Sequence, residues 1–499
     1  MLNFLLKYFV KYHKNRWDEE KNNAVQYQER IFQELLRRGV HSQFGQEHDF
    51  GSIKTYQDWC EKVPLRDYDA FIPYIEKIKA GESDVLFPGK PRYFAKSSGT
   101  VAGVKYLPIT KTFAQTYAKS GVAMLCTYAD ATKNYRLLLS PRLLIQGSPI
   151  LTNINGVLTG RMSGISYHLV PKVLKPTQKP SYETNIIADW EEKVRRIAEE
   201  TGKMDLSIVA GIPPWVMMYF DELLSQKKKK TIAEVFPNLK LYIHGGVNFE
   251  PYRQLVYEKI GKKIDTLDTY TASEGFMGFQ ETVDELGMTL CPNNGIFYEF
   301  VPIEEVKKTN SHDLPTRLRL ADIELNRDYA LVLNSMSGLW SYLIGDTVRF
   351  VDKKPYRFVI TGRVAEFTSL FGEHIIEAEV RAAIQEAIQQ LDIRVKYFTV
   401  APFLSPQHGC SHHQWWIEFQ KPPKNMADLE QLLNQSLCRQ NPYYKDLIDG
   451  KILEPARVIA VREAGFNQCL YESGKIDGQN KVPLLSNNRR LADALEHFK

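Results

Sequence analysis

Nine residues, Ser97-Ser98-Gly99-Thr100-Val101-Ala102-Gly103-Val104-Lys105, hold three hydroxyls, two glycines and a lysine. Glycines let a loop close around an anion while backbone N–H groups point at its oxygens. The hydroxyls add donors and the lysine a mobile positive charge. Gly-Lys-Ser/Thr is missing at the spacing of a Walker A loop, which argues against an ordinary P-loop ATPase. Alone, the stretch also reads as a surface turn. A second segment, Tyr270-Thr271-Ala272-Ser273-Glu274-Gly275, pairs an aromatic ring with a carboxylate. The ring can stack on a base, and the carboxylate can hold Mg²⁺ against a phosphate. In a third, Tyr342 to Arg349, Asp346 reads as the end of an apolar strand, where it can accept from both ribose hydroxyls or merely sit in a turn. In a fourth, Gly362 to Gly372, Arg363 can pair with phosphate or span two domains, and Glu366 can sit at a hinge.

The elements that must position these groups follow from length and pattern. At 499 residues two or more domains are expected. Hydrophobic content of 43% with 25% charged residues is that of a globular chain. A net charge of +5 gives no case for nucleic acid as the main partner. Lys227 to Lys230 read as a solvated helix end or loop. Six scattered cysteines, Cys60, Cys126, Cys291, Cys410, Cys438 and Cys469, build no disulfide framework and fit a reducing, cytoplasmic compartment. His408 to His413 could supply metal ligands, but no second cluster completes a zinc-like set, and an exposed loop is expected. The start, Leu2 to Lys11, predicts an amphipathic helix packed on its own domain, with peripheral membrane contact as the alternative; no run is long enough for a span.

Short strand-like runs (Tyr93–Ala95, Leu137–Leu139, Ile208–Ala210, Leu241–Ile243, Leu331–Leu333) alternate with helical stretches at Ile186–Glu200 and Trp215–Leu224. This is an α/β pattern. After Gly372 the pattern changes. Ile376, Val380, Ala383, Ala387 and Leu391 form one helical face over Glu373–Leu391. Strands are expected at Ile393–Val400, Gln414–Phe419 and Arg457–Val461, with a helix at Met426–Cys438, making a small α+β unit.

Taken in order, the four segments resemble the adenylate-forming superfamily, which includes acyl-CoA synthetases, luciferases and peptide-synthetase adenylation domains. Finer details are similar to the Gretchen Hagen family of auxin-responsive acyl-acid amido synthetases, of bacterial type. These are Ser-Ser-Gly-Thr-x-x-Gly-x-Lys, Tyr-x-Ala-Ser-Glu-Gly, Gly338-Leu339-Trp340-x-Tyr342-x-x-Gly345-Asp346, Phe297 to Pro302, and Gly478-Gln479-Asn480-Lys481-Val482-Pro483. The resemblance runs from about Pro91 to Pro483. It implies a large N-terminal domain, 1–366, with several sheets flanked by helices, binding ATP and an acyl acid. A mobile α+β C-terminal domain, 367–499, would follow. It further implies ATP and Mg²⁺ as cofactors, with a carboxylic acid and an amino acid as substrates joined through an acyl adenylate. Ser97, Ser98, Gly99 and Thr100 would cradle phosphates. Tyr270 would stack near adenine with Gly246 at its edge, and Ser273 would join the nucleotide contacts. Glu274 would bind Mg²⁺, Asp346 the ribose, and Arg363 would sit at the junction. Lys481 would reach the α-phosphate and carboxylate, while Lys105 can equally be a solvated side chain.

Two departures stand out: Leu343 and Val101 occupy positions where plant members usually carry arginine and serine. Two other readings share the motifs, an acyl-CoA synthetase with a thiol acceptor and a non-catalytic adenylate binder. Leu125, Tyr128, Met162, Ile165 and Tyr167 either line an acyl pocket or, as expected for most, belong to the core.

Overall fold

Val, Ile and Leu runs bounded by Gly and Pro build the centre of the molecule. In a computed structural model, the structure describes residues 2–98, 104–246, 249–283, 285–306, 316–364, 375, 377–403, 412–449, 453–472, 482–486 and 489–499. The chain divides into two units, one of Met1–Ile344 with Val348–Val359 and one of Gly345–Thr347 with Ile360–Lys499.

In the first unit, parallel strands Gln178–Lys179, Arg142–Leu144, Ile208–Ala210, Leu241–Gly245 and Asp265–Ala272 lie side by side. Alternate residues face two cores. Leu143, Val209 and Tyr242 pack under the helices Trp190–Thr201, Pro213–Lys227 and Glu250–Ile260. Ile208, Leu241 and Leu267 face the long helix Lys111–Ala131 through Met124 and Tyr128. Such two-sided burial is why these strands read as continuous apolar runs. Beyond Ala272 the sheet continues antiparallel through Gly275–Phe279 and Met288–Leu290 to the strands that end with Asp328–Ser335, Ile296–Pro302 and Leu318–Arg319, twelve strands in all. A separate four-stranded sheet pairs Tyr93–Ser98 with Val104–Ile109 and Val157–Arg161, with Thr152–Ile154 at its edge.

The second unit is a three-stranded sheet, Arg394–Phe403, His412–Lys421 and Arg457–Val461, with helices on both faces. Trp415 packs with the helices Glu377–Leu391 and Met426–Gln440, while Trp416 packs with Gly465–Glu472 and Arg490–Leu495. Glu418, buried on the central strand, meets Lys396 Nζ at 2.9 Å. It also accepts the backbone N–H groups of Ala464 (3.1 Å) and Phe466 (3.2 Å) at the start of the helix Gly465–Glu472. A carboxylate suits the positive end of a helix.

The expected α/β and α+β elements form, with local differences. Leu137–Leu139 lie in a 3-10 helix, Tyr135–Leu139, rather than a strand, because three leucines, branched at Cγ and not at Cβ, carry no β preference and the strand begins later at Arg142. The helix expected from Ile186 starts at Trp190, where the Asp189 carboxylate caps the Glu192 N–H at 2.8 Å. His412 and His413 are buried on a strand, not exposed in a loop; Cys410 and the rest of that motif lie outside the described residues, as do Glu373 and Ile376. Among the described residues no group of three or more His, Cys, Asp or Glu could hold a metal. The first helix, Leu2–Asn22, seats on its unit through Val10 and Trp17 as expected, while a second apolar face stays bare: Leu2, Phe4, Leu5, Tyr8 and Phe9 remain exposed. Lys228 to Lys230 are solvated where the helix Pro213–Lys227 ends on a left-handed Lys228. The described cysteines are free thiols, and among the described residues no helix is long and apolar enough to cross a membrane.

One buried cluster ties the far strands together. Glu299 is fully buried and accepts from Arg317 Nε (3.0 Å) and Nη2 (2.8 Å), Tyr56 Oη (2.7 Å) and Asn334 Nδ2 (2.6 Å). Arg317 also donates to the Val63 carbonyl at 2.6 Å and to Ser341 Oγ at 2.5 Å. Burial and then the neighbouring Glu299 charge push the Tyr56 phenol far up, so it stays a donor. Removing one partner of a buried charge pair leaves the other uncompensated. Arg317→Leu is therefore expected to destabilise the first unit by about 3 kcal/mol. Urea unfolding should show this, and Glu299→Leu with Arg317→Leu should cost less than the sum of the single changes.

Candidate active site

The Glu299 cluster also shapes the segment that follows Trp340. Ser341 donates its N–H to Asn334 Oδ1 at 2.6 Å and holds a left-handed φ of 48°, which a non-glycine residue adopts only at a cost. On either side, Arg66 binds the strand through Arg66 N to Ser341 O (2.9 Å) and Leu343 N to Arg66 O (2.8 Å). Tyr342, fully buried beside Phe71, is thereby aimed so that its hydroxyl donates to Glu274 Oε1 at 3.4 Å.

Glu274 stands in a two-residue hairpin turn, Ser273-Glu274, closed by the pairing of Ala272 with Gly275. Its side chain is 8% exposed. Tyr270, three residues before the turn and buried, sits edge-on to Phe358 with ring centroids 6.0 Å apart. Gly245 ends its strand against Thr269, and any Cβ there would fall 2.3 Å from the Thr269 carbonyl oxygen, so only glycine allows this approach. Gly246 follows, exposed, with φ 76°. The Gly245-Gly246 turn and the Tyr270–Glu274 hairpin thus sit at the carboxyl ends of adjacent parallel strands, where open α/β sheets place their ligands. A buried carboxylate beside a phenol, an aromatic ring and a glycine turn can hold a nucleotide and a divalent cation. Mg²⁺ is usually bound by one or two carboxylates plus substrate phosphates, so a single Glu274 fits it without a protein cage.

The other predicted residues fall as follows. The Ser97–Ser98 backbone ends a strand opposite Lys105 and Val104, while Gly99, Thr100, Val101 and the side chains of Ser97 and Ser98 lie outside the described residues. Lys105 is half-buried with Nζ 5.3 Å from the Tyr68 ring centroid, not simply solvated. Asp346 is the fifth of twelve residues in the strand Tyr342–Lys353, not at a strand end, because the pairing continues past it to Lys353. It belongs, with Gly345 and Thr347, to the second unit. In that unit Thr347 Oγ1 meets Thr361 Oγ1 at 2.9 Å. Arg363 closes the strand Tyr356–Arg363, its side chain outside the described residues, as are Glu366 and Lys481. Just after Lys481 the chain is stitched to the strand Arg394–Phe403: Thr399 Oγ1 donates to Pro483 O at 2.6 Å, and Val400 N–H to Leu484 O at 2.9 Å. Of the acyl-pocket candidates, Met162 and Ile165 join the main core and Tyr128 a second one, with Leu125 packed against it. Tyr167 departs from the core expectation: half-exposed, its ring lies 6.0 Å from Tyr182.

The pairing of Tyr342 with Glu274 was missed by sequence reasoning, although the alternation Tyr342, Ile344 in an apolar strand was a signal for an inward phenol. Lys193 was missed without any signal. It is 2% exposed, with Nζ 3.2 Å from the Gln146 carbonyl just past the strand Arg142–Leu144.

The mixed twelve-stranded sheet with its hairpin carboxylate, and the small α+β unit that follows in the chain, make a fold also found among acyl-CoA ligases. A 2-hydroxyisobutyryl-CoA ligase in its postadenylation state superimposes with a TM-score of 0.57 at 13% identity, over 97% of this chain and 91% of that one. The chain belongs to the GH3 family: profiles of the GH3 family N-terminal, central and C-terminal domains match residues 13–140, 288–363 and 378–490. The GH3.15 acyl acid amido synthetase in complex with 2,4-DB superimposes with a TM-score of 0.80 at 16% identity, covering 98% of this chain and 96% of that one. In sequence, the indole-3-acetic acid-amido synthetase GH3.15 of Arabidopsis thaliana is 22% identical over 95% of this chain and 92% of its own length. GH3.8 of Oryza sativa subsp. indica, also an indole-3-acetic acid-amido synthetase, is 23% identical over 74% and 71%.

Burial, then the Arg161 charge, lowers the Lys193 ammonium from 10.5 to about 8. Its unfolded value is higher, so the unfolded chain binds the extra proton between these two pH values and stability rises with pH across that window. The penalty is fully present below pH 8. Lys193→Met is expected to stabilise the fold at pH 7 by on the order of 2 kcal/mol, allowing for the lost Gln146 bond. Thermal melting should show a gain over the parent at pH 7 that shrinks towards pH 10.5; an equal gain at both would assign the effect to packing rather than charge.

Proposed function

We propose that this chain is an ATP-dependent acyl-acid amido synthetase, a ligase forming carbon–nitrogen bonds. The observation that carries this reading is the match of all three GH3 family domains along the chain, and the buried Glu274 on its hairpin supports it. A carboxylate is a poor electrophile because oxide is a poor leaving group. In the proposed first step an oxygen of the acid attacks the α-phosphate of ATP, the α–β bond breaks, and acyl-AMP and pyrophosphate form. In the second, the amine of an amino acid attacks the acyl carbonyl, AMP departs, the ammonium proton is lost, and an amide results. The named substrates of the relatives, indole-3-acetic acid and jasmonic-acid type acids, mark the class to test first.

The chemistry is mostly positioning and charge neutralisation. Mg²⁺, when bound, neutralises phosphate charge, and Glu274 would hold it with Tyr342 fixing the carboxylate. Tyr270 and Gly246 would flank adenine, with Ser273 beside them, and Asp346 would accept from the ribose hydroxyls. Ser97, Ser98, Gly99 and Thr100 would receive the phosphates, and Arg363 would stand at the junction of the domains 1–366 and 367–499. Lys481, carried by a mobile second domain, would enter to stabilise charge in the first step and leave for the second.

The deciding experiment is acid-dependent pyrophosphate release with ATP and Mg²⁺ across indole, aryl, jasmonate-like and fatty acids, repeated with pooled amino acids or coenzyme A and read by product mass. An amide is expected; a thioester would reassign the chain to the coenzyme A ligases, and silence with every acid would favour a non-catalytic binder. Lys481→Ala should slow pyrophosphate release by about a hundredfold with ATP affinity retained in calorimetry. Glu274→Gln should raise the Mg²⁺ concentration for half-maximal release severalfold; an unchanged titration would remove Glu274 from the metal site.

A further inference from the structure

The first helix, Leu2–Asn22, presents two opposite faces. One is fastened to the first unit. Val10 is buried against Cys126 and Ala129. Trp17 lies 4.6 Å from the Phe279 ring, and Lys21 pairs with Glu281 at 2.6 Å. Val10 and Trp17 are seven residues apart and so share a helix face. The other face is apolar and bare. Phe4, Tyr8 and Tyr12 stack at i, i+4 spacing, with Leu5 and Phe9 beside them and Leu2 at the end. Phe4 is 72% exposed, Tyr8 71% and Leu5 57%. Scattered exposed apolar side chains are ordinary, but six on one helix face form a patch that a water-facing helix has no use for.

The charges beside the patch choose its occupant. No Asp or Glu occurs before Asp18, whereas Lys7, Lys11, Lys14 and Arg16 all do. Lys14 and Arg16 pair with Asp18 and Glu20 on the fastened part of the helix. Lys7 and Lys11 are exposed and, among the described residues, have no carboxylate within ion-pair distance. An apolar face rich in aromatics, edged by unneutralised lysines and lacking acids, is the pattern of a helix that lies in the plane of a lipid interface. Phenylalanine and leucine enter the acyl boundary, tyrosine sits at headgroup depth with its hydroxyl wet, and lysine meets anionic headgroups. A second copy of the chain would bring its own lysines and tyrosine hydroxyls, and no acids, to the same face. We propose that the exposed face of the helix Leu2–Asn22 docks this protein on an anionic lipid bilayer, the helix lying on the surface rather than crossing it, and that this needs no feature of the active site.

The test is co-sedimentation of the full chain with vesicles of phosphatidylcholine alone and of phosphatidylcholine with phosphatidylserine. Binding is expected to the anionic vesicles, weakening as salt rises. Lys7→Gln with Lys11→Gln should lower the partition coefficient by roughly fivefold per lysine. The combined Phe4→Ser, Tyr8→Ser and Phe9→Ser variant should lower it about tenfold or more. These side chains point away from the protein, so melting temperature should hold in both variants, and the lysine pair serves should the serine variant fold poorly. No sedimentation with anionic vesicles at low salt would overturn the proposal, as would equal binding to neutral vesicles. A concentration-dependent dimer that the serine variant dissolves, without vesicle binding, would assign the face to a second copy instead.

Discussion

A carboxylate sealed from water has to be answered by donors, and in this protein that demand organises the floor of the candidate site. Glu299 takes bonds from a strand neighbour, from Tyr56 on a distant helix, and from Arg317. Arg317 in turn grips the Val63 carbonyl and Ser341. No member can move without stranding another, because an unpaired buried charge costs several kcal/mol. The cluster therefore acts as a jig. It holds Ser341 in a backbone conformation the residue would not choose, and so sets the direction of Tyr342 towards Glu274.

The candidate site joins this rigid floor to the ends of a parallel sheet. Gly245 lets one strand come against Thr269 of the next, and the hairpin beyond Ala272 carries Glu274. Glu274 on the one part and Tyr342 on the other stand 68 residues apart in the chain, yet each part is fixed by its own short-range rule. One rule is a glycine where a Cβ would collide; the other is a phenol where a carboxylate needs a donor. Precision on rigid elements rather than on loops is what a positioning enzyme requires.

Much of this was legible beforehand, for definable reasons. Period-two and continuous apolar runs gave the strands at Ile208, Leu241 and Leu331, and three-four spacing gave the helix ending at Leu391. Motif order gave the family, because hydroxyl, glycine and acid positions are dictated by the ligand rather than by packing. What stayed hidden depends on long-range partners. Leu137–Leu139 read as a strand on hydrophobicity, yet leucines carry no β preference of their own, and the strand waits until Arg142. His412 is buried beside Phe403 of the paired strand and His413 beside Tyr444 of the helix Pro442–Asp449. The link from Tyr342 to Glu274 joins positions 68 residues apart, a pairing no local pattern encodes. The first helix packs on its unit as expected, through Val10 and Trp17, but its second, bare apolar face was not legible, because amphipathicity says that a helix has an apolar side, not what meets it.

The central strand of the second unit carries a further consequence. With Trp415 committed to one core and Trp416 to the other, both faces are apolar, and burial alone would tolerate the strand slipping by one residue. Glu418 forbids it. Only in the observed alignment does its carboxylate find Lys396 and the N–H groups of Ala464 and Phe466. One step either way would leave a naked charge between two hydrophobic layers. A single acidic residue thus works as an alignment pin, surrendering some stability so that one threading of the chain is distinguished from its near-isoenergetic neighbours.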